Sequence, residues 1–415
     1  MKRRHSKIHY LLRVGIACAL LVLAPQIAYS AAAILEHEAA WAIERANVIS
    51  EEMDQGGLIV DDPEITQYLQ AIVEKLLAST SIPIDYLNVQ IIKDDRSYAF
   101  SLPNNQIYLN LGLISHLENE AQLAAVVAKE MAHVGNGFHI EAAIEFKKSN
   151  MTSNFSDLLL IGTIMGKKTF ASKFSNFNQE RDEKALVDAL AMLEAANYDI
   201  SESVEIFRVL GALPEYKGQQ DSIFSSTHDD NLLLLEQLKT LISTNYPAEQ
   251  ENAIVGKAEF EPIKGKLLGL QVRLQLSDRR YSMALHTLDL AETYFSKVPV
   301  IDFYRAEAYR GMADYPLSAA REKHWIETGK ESDKYLDEYL EKTDQNYDKA
   351  ITYYQQSLAS DIPYEAAYRG LGQVHKSRGS KELAIQYFQT YLDKTGTPKD
   401  YRYINRLIKN LRAYY

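Results

Sequence analysis

The stretch that decides the fold is Val126-Val127-Ala128-Lys129-Glu130-Met131-Ala132-His133-Val134. It lies in an apolar, helix-forming run over about residues 121–134, with acidic residues before the run and glycines after it, as is typical of helix ends. Lys129 and His133 are four residues apart, so a helix places them one turn apart on the same face. Glu130 lies beside the first of them. The stretch therefore predicts a helix that brings a lysine, a glutamate and a histidine to one place.

This pattern differs by one residue from H-E-x-x-H. In that motif two histidines one turn apart bind one Zn²⁺, and the glutamate beside the first polarises a metal-bound water. Lys129 occupies the position of the first histidine. An ammonium group is a poor Zn²⁺ ligand and brings positive charge to the place of the metal. Glu130 is thus the candidate catalytic residue and His133 a candidate metal ligand, and the function depends on whether Lys129 removes the chemistry.

The N-terminus predicts a secretory signal peptide over residues 1–30. Residues 1–13 carry five basic side chains and no acidic ones, an apolar run over residues 14–24 follows, and small residues lead to a cleavage site after Ser30. The apolar run is too short to span a bilayer, although a retained anchor is the alternative. Loss of the five basic side chains would change the formal net charge from −11 to −16. Such an acidic chain is a poor candidate for binding nucleic acid or an anionic membrane through its bulk charge, so we expect protein partners and at most peripheral membrane contact.

The segments around the motif alternate between helical and strand patterns. Asp62 followed by Pro63 predicts the start of a helix. Three short alternating segments around a Pro-Asn-Asn turn predict a small antiparallel sheet. An apolar segment over residues 157–165 predicts a helix packed over the site, with contact to a membrane surface as the alternative. The predicted helices are 34–53, 63–77, 121–134, 141–149, 157–165 and 176–196, and the predicted strands are 86–92, 98–100 and 106–109.

From about residue 265 the chain is helical and repetitive. Residues 347–354 recur as residues 381–388, so that Ala350 and Ala384 are 34 residues apart, the period of tetratricopeptide repeats. The positions where this repeat requires small or aromatic residues are matched by Gly372, Ala384 and Phe388.

Weaker copies of the repeat begin near residues 281 and 315, and the acidic segment 329–345 predicts a helical spacer between repeat pairs. Stacked repeats usually present a concave surface that binds a peptide or protein segment. A purely structural stack is the alternative.

The region from about Ala39 to Asp230 resembles peptidase family forty-eight of clan MA, a gluzincin family. The resemblance runs through residues 62–69, 98–114 and 119–128. It implies a mostly helical, zincin-like α+β metallopeptidase domain with a small antiparallel sheet over residues 31–260. An all-α tetratricopeptide-repeat superhelix then follows over residues 265–415.

The resemblance also implies a site in which several residues depart from the family pattern. The family's third metal ligand, a glutamate on a later helix, is matched by the shorter Asp182, and an aspartate that orients the ligands is matched by Leu186. A histidine able to occupy the open position of the zinc is matched by His228. The implied substrate strand consists of Gln106, Ile107, Tyr108 and Leu109. If any metal is bound, we expect His133, Asp182 and His228 as its ligands.

The resemblance implies a role in the cell envelope, and the departures from the family pattern bear on whether that role is catalytic. We expect a periplasmic protein in envelope protein quality control, acting as a chaperone or adaptor, with the family's zinc absent or weakly bound. Its partners would be unfolded or assembling outer-membrane proteins and their assembly machinery. The first alternative is an active zinc endopeptidase that degrades misfolded outer-membrane proteins. The second is an assembly scaffold in which only the repeats matter.

Overall fold

A computed structural model of the protein describes residues 36–80, 86–149, 179–211, 228–247, 250–295 and 298–413. The predicted signal peptide and the helix predicted over residues 157–165 lie outside these ranges. Among the described residues, no helix is both long enough and apolar enough to cross a membrane.

The front domain (residues 36–256) is α+β, as the sequence predicts. Its second helix begins where the sequence places it, because the Asp62 carboxylate accepts hydrogen bonds from the backbone N–H groups of Glu64 and Ile65 at 3.1 and 3.2 Å. In chain order the elements are α1 (36–55), α2 (Pro63–Ala78), β1 (Asn88–Ile92), β2 (Ala99–Leu102), β3 (Gln106–Asn110), α3 (Leu111–Ile114), α4 (Glu120–Gly135), α5 (Phe138–Ser149), α6 (Gln179–Ala195), α7 (Glu202–Gly211) and α8 (His228–Asn245).

The sheet differs from the prediction in one respect, because it is mixed and not wholly antiparallel. Its strand order is β1-β3-β2. The tight turn between β2 and β3 makes that pair antiparallel, whereas β1 pairs with β3 in parallel. The six residues between β1 and β2 carry the chain past β3 to its far side, so β1 and β2 are consecutive in the sequence but are not neighbours in the sheet. The alternating pattern identified the strands but not their order.

The motif helix α4 lies in the centre of the front domain. Asn119 caps it by accepting a hydrogen bond from the backbone N–H of Gln122, and Gly137, with a φ of 72°, turns the chain after its end. Almost every residue of α4 is buried, including Lys129 and Glu130. Its apolar side chains form one cluster with those of α2, the sheet and α6.

The N-terminus of α4 is fixed by a carboxylate shared between two tyrosines. Glu120 accepts hydrogen bonds from the hydroxyl groups of Tyr68 and Tyr198 at 2.6 and 2.7 Å. Burial raises the pKa of both phenols far above the usual value, so they remain hydrogen-bond donors at any physiological pH. This contact ties α4 to α2 and to the chain that follows α6.

The rest of the chain forms a region of antiparallel helices (the helical region), in agreement with the predicted fold class. The tetratricopeptide assignment itself stays a prediction. Its helices are α9 (Lys257–Ser277), α10 (Tyr281–Tyr294), α11 (Pro299–Asp314), α12 (Pro316–Thr328), α13 (Leu336–Glu341), α14 (Thr343–Leu358), α15 (Ala366–Ser377), α16 (Lys381–Thr395) and α17 (Tyr401–Ala413).

One continuous helix connects the two regions. The predicted boundary at residues 260–265 lies inside α9. Phe260, Ile263 and Leu267 belong to the core of the front domain, whereas Leu268 and Val272 belong to a cluster of the helical region. The first helix of the helical region therefore packs into the core of the front domain, and no linker separates the two regions.

The helical region departs from a simple repeat array in one place. Helix α11 packs most extensively on α14, and α12 and α13 lie between them in the sequence. Residues 329–341 of the predicted spacer therefore belong to a larger insert, residues 316–341, which separates the two helices of one pair, whereas residues 343–345 lie in α14. The repeat copy predicted near residue 315 begins this insert. Sequence similarity over a few residues did not distinguish a partner helix from an inserted one.

Candidate metallopeptidase-like site

The three motif side chains meet on one face of α4. Lys129 and Glu130 are buried, with 6% and 5% of their surface exposed, and His133 is half-buried. The Lys129 ammonium nitrogen lies 3.3 Å from Nε2 of His133 and 3.7 Å from Oε1 of Glu130. The ammonium therefore lies between the imidazole and the carboxylate, where the motif would place a metal ion.

This contact constrains the chemistry of His133. A protonated lysine can only donate hydrogen bonds, so Nε2 of His133 accepts and its lone pair is directed at the ammonium. A metal ion would need the same lone pair. The described residues of this site consequently do not fit a bound Zn²⁺, because a fixed positive charge competes with the metal at its ligand. Without a metal-bound water, Glu130 has no water of raised acidity to deprotonate.

The first turn of α5 contains a buried histidine, His139, that the sequence did not single out. Nδ1 of His139 lies 3.2 Å from the backbone carbonyl oxygen of His133, and the ring of Phe138 contacts the His133 imidazole edge-on, with centroids 5.9 Å apart. Burial lowers the pKa of His139 to about 4, so this imidazole is neutral at pH 7. These contacts hold the backbone and ring of His133 in place. Only the spacing of six residues could have suggested the pair.

The side of Lys129 that faces α6 is apolar. Lys129 and Leu186 line a small cavity of about 20 Å³, together with Leu190 and Phe207. Leu186 is the residue matched to the family's orienting aspartate, and it is 5% exposed. No carboxylate replaces that aspartate among the residues that line this cavity. The lysine stem accordingly packs on hydrocarbon while its ammonium reaches His133 and Glu130.

The remaining candidate ligands are placed only by their backbones. Asp182 lies on α6, which packs against α4, and His228 is the first residue of α8. Their side chains lie outside the described part of the chain. The polar link that the structure describes between α4 and α6 is a hydrogen bond of 2.7 Å from Nδ2 of Asn136 to Asp188, which the sequence did not indicate.

The strand predicted to bind substrate is not available for pairing. Residues Gln106–Asn110 form the central strand β3, which pairs with β1 on one side and with β2 on the other. The prediction of Gln106, Ile107, Tyr108 and Leu109 as a substrate strand is therefore wrong, because both hydrogen-bonding edges of β3 are occupied. Within the described ranges, β2 is an edge strand of the sheet, and it contacts α4.

Comparisons with known proteins agree with the motif helix and the strands around it. Residues 63–242 match peptidase family M48. The chain is 23% identical over 157 residues to the beta-barrel assembly-enhancing protease of Escherichia coli O157:H7, which is 34% of this chain and 31% of that protein. It is 27% identical over 123 residues to the protein of the same name from Yersinia pestis, which is 30% of this chain and 25% of that protein.

These matches span a third or less of the length of either relative. Peptidase family M48 is zinc-dependent, and the matched residues 63–242 contain α4 and the sheet. Residues 63–242 of the front domain, 180 of the 415 residues of the chain, are thus similar to peptidase family M48.

Proposed function

We propose that this protein is a non-catalytic chaperone or adaptor in the assembly and quality control of outer-membrane β-barrel proteins, and that it acts in the periplasm. The names of its relatives refer to the assembly of β-barrel proteins and to proteolysis. The proposal retains the first role and not the second.

The inference that this protein lacks proteolytic activity rests on one observation. The Lys129 ammonium is 3.3 Å from His133 Nε2 and 3.7 Å from Glu130 Oε1. It is buried, so solvent does not screen its charge from either neighbour. A divalent cation entering this position would have to displace the ammonium or repel it at short range. Lys129 thereby occupies the position of the metal, and its positive charge compensates the negative charge of Glu130.

We infer that clients bind at the outer edge of β2. An extended client segment could pair with this edge through main-chain hydrogen bonds, which need no catalytic group. Phe100 and Ser101 on β2 are only partly buried. A charged side chain on an edge strand opposes further strand pairing. Ser101→Lys should therefore reduce the capture of an unfolded β-barrel protein several-fold, with Ser101→Thr as the control that keeps a neutral side chain.

The decisive experiment measures zinc content and proteolysis on the same preparation. The purified protein, dialysed without chelator, should contain far less than one zinc per chain. It should leave casein and unfolded β-barrel protein uncleaved, and Glu130→Gln should change neither result. Stoichiometric zinc together with cleavage that disappears in Glu130→Gln would overturn the proposal.

Such a result would establish the alternative, an active zinc endopeptidase, for which the retention of Glu130 and His133 is the supporting observation. A scaffold role of the repeats alone is less well supported. Since α9 contributes Phe260 and Ile263 to the front-domain core, deletion of either region would damage the other. Point substitutions on β2 and in the helical region are therefore the better way to test the contribution of each region to client binding.

A further inference from the structure

The last helix, α17, has an exposed face whose charged residues all have the same sign. It carries four cationic residues and no acidic one, although the chain as a whole has a net charge of −11. Arg402, Arg406 and Lys409 recur at intervals of four and three residues, so they line one face of the helix over about 10 Å. All three side chains are exposed.

The opposite face of α17 attaches the helix to the fold. Ile404 and Ile408 are buried, and they belong to an apolar cluster with Phe388 and Leu392 of α16. Since the apolar stripe is already covered, α17 cannot insert it into another surface. The helix therefore presents its basic face outward on a fixed support.

The cations of this face differ from the other arginines of the helical region. Arg305, Arg310 and Arg378 each form ion pairs with two carboxylates. Arg321 and Arg369 each form one. Within the described residues, no ion pair is found for Arg402, Arg406 or Lys409. A helix whose polar face served only to keep the end of the stack in solution would need no single sign of charge, and α16 exposes both signs.

Two tyrosines lie at the start of the same helix. Tyr401 and Tyr403 are 41% and 44% exposed, and the Arg406 guanidinium lies 6.0 Å from the centre of the Tyr403 ring. Tyrosine is enriched where a protein meets the headgroup layer of a bilayer, because its ring is apolar and its hydroxyl is polar. A row of cations with no ion pair among the described residues, flanked by tyrosines, fits a flat anionic surface better than a peptide.

We propose that the basic face of α17, formed by Arg402, Arg406 and Lys409, binds the surface of an anionic phospholipid bilayer. The binding is electrostatic and peripheral. It holds the helical region at a membrane while the rest of the acidic chain is repelled from it. The proposal is independent of the role of the front domain.

The test is sedimentation of the full chain with vesicles. Wild-type protein should bind vesicles of phosphatidylcholine with about one third phosphatidylglycerol at low salt. Binding should fall steeply in high salt, and vesicles of pure phosphatidylcholine should bind far less. Each basic residue near such a surface contributes about fivefold to the partition coefficient, so Arg402→Gln with Arg406→Gln should lower it on the order of twentyfold.

The matched control is Arg45→Gln with Lys257→Gln, which removes the same charge from two exposed cations outside the basic face of α17. This control variant should bind vesicles within about twofold of wild type. Any contribution of the N-terminal segment to binding is common to all variants, so the comparison reports the contribution of α17 alone. Unchanged melting curves of both variants confirm that the fold is intact. Equal binding by the α17 variant and wild type would overturn the proposal. So would binding of the wild type to poly-glutamate but not to anionic vesicles, which would assign the face to an acidic protein.

Discussion

The ion pair between Lys129 and Glu130 can be measured by a double-mutant cycle. The Lys129 ammonium lies 3.7 Å from the Glu130 carboxylate, and both side chains are 7% exposed. At an effective dielectric constant of about 20, two unit charges at this distance attract each other by roughly 4 kcal/mol. Desolvation of both groups offsets part of that energy. We therefore expect a coupling energy of about 1–3 kcal/mol.

The informative variant is Lys129→Met, because methionine keeps the apolar stem against Leu186 and removes only the charge. It leaves Glu130 buried without its cation and should lower the free energy of unfolding by about 3 kcal/mol. Glu130→Gln in the same chain removes the unpaired charge. The double variant should accordingly be more stable than the sum of the two single changes predicts.

The assay is urea unfolding followed by tryptophan fluorescence. The chain has two tryptophans, of which Trp41 packs in the front domain and Trp325 lies in the helical region. A Trp325→Phe background makes the signal report the front domain alone, which matters because two regions need not unfold together. If the single changes add to within about 0.5 kcal/mol, the ammonium and carboxylate do not interact, and the reasoning on the blocked metal position fails.

Three further predictions concern the rebuilt site and the helical region. Lys129→His with Asp182→Glu should raise the affinity for zinc, measured by calorimetry, at least tenfold, because the two changes supply two ligands. Leu186→Asp should raise it further by orienting one of these ligands. No gain in affinity in the triple variant would mean that α4 and α6 do not converge on a metal. Ala384→Leu should cost about 1–3 kcal/mol, because Ala384 is fully buried beside Phe388. It should weaken client capture while the front domain resists proteolysis as before, and capture at the wild-type level would exclude the repeats as the recognition surface. Glu322 accepts hydrogen bonds from the backbone N–H groups of Ser282 and Met283, and burial raises its pKa from 4.5 to about 7. Folding therefore favours the protonated form, so the stabilising contribution of Glu322 is present below about pH 4.5 and is lost as the pH rises through 7. Between pH 5 and pH 8 the free energy of unfolding of the wild type should fall by roughly 2–3 kcal/mol more than that of Glu322→Gln. Parallel curves of stability against pH would contradict this.

Several elements were determined by local sequence alone. Asp62 and Pro63 fixed the start of α2, and the apolar run between acidic residues and glycines fixed α4 to within a residue at each end. These signals are local because they depend on hydrogen bonds within one helical turn. The 34-residue spacing of Ala350 and Ala384 likewise indicated helix pairs, and the close approach of Gly372 to the ring of Phe388 has the small-against-aromatic packing that it implies.

The predicted features that failed all depend on contacts between distant parts of the chain. The alternation that identified β3 is the same for a central strand as for an edge strand. Only the pairing with β1 and β2 showed that Gln106 to Leu109 cannot form a further strand pair with a client. A short repeat could not distinguish α12 from α14 as the partner of α11. The local sequence also did not indicate that the helix over residues 260–265 packs against two different cores.

The sequence by itself determined that a lysine occupies the position of the first histidine of the motif. It therefore raised the question of whether this site can bind a metal ion. Only the tertiary structure decided where its ammonium goes. A lysine side chain is long and flexible, so its charge could have reached solvent. The burial of α4 between the sheet and α6, with Leu186 on one side, leaves hydrocarbon around the stem and directs the charge to His133 and Glu130. A buried charge needs a partner, and two partners of this ammonium are residues that would otherwise have held and used the metal.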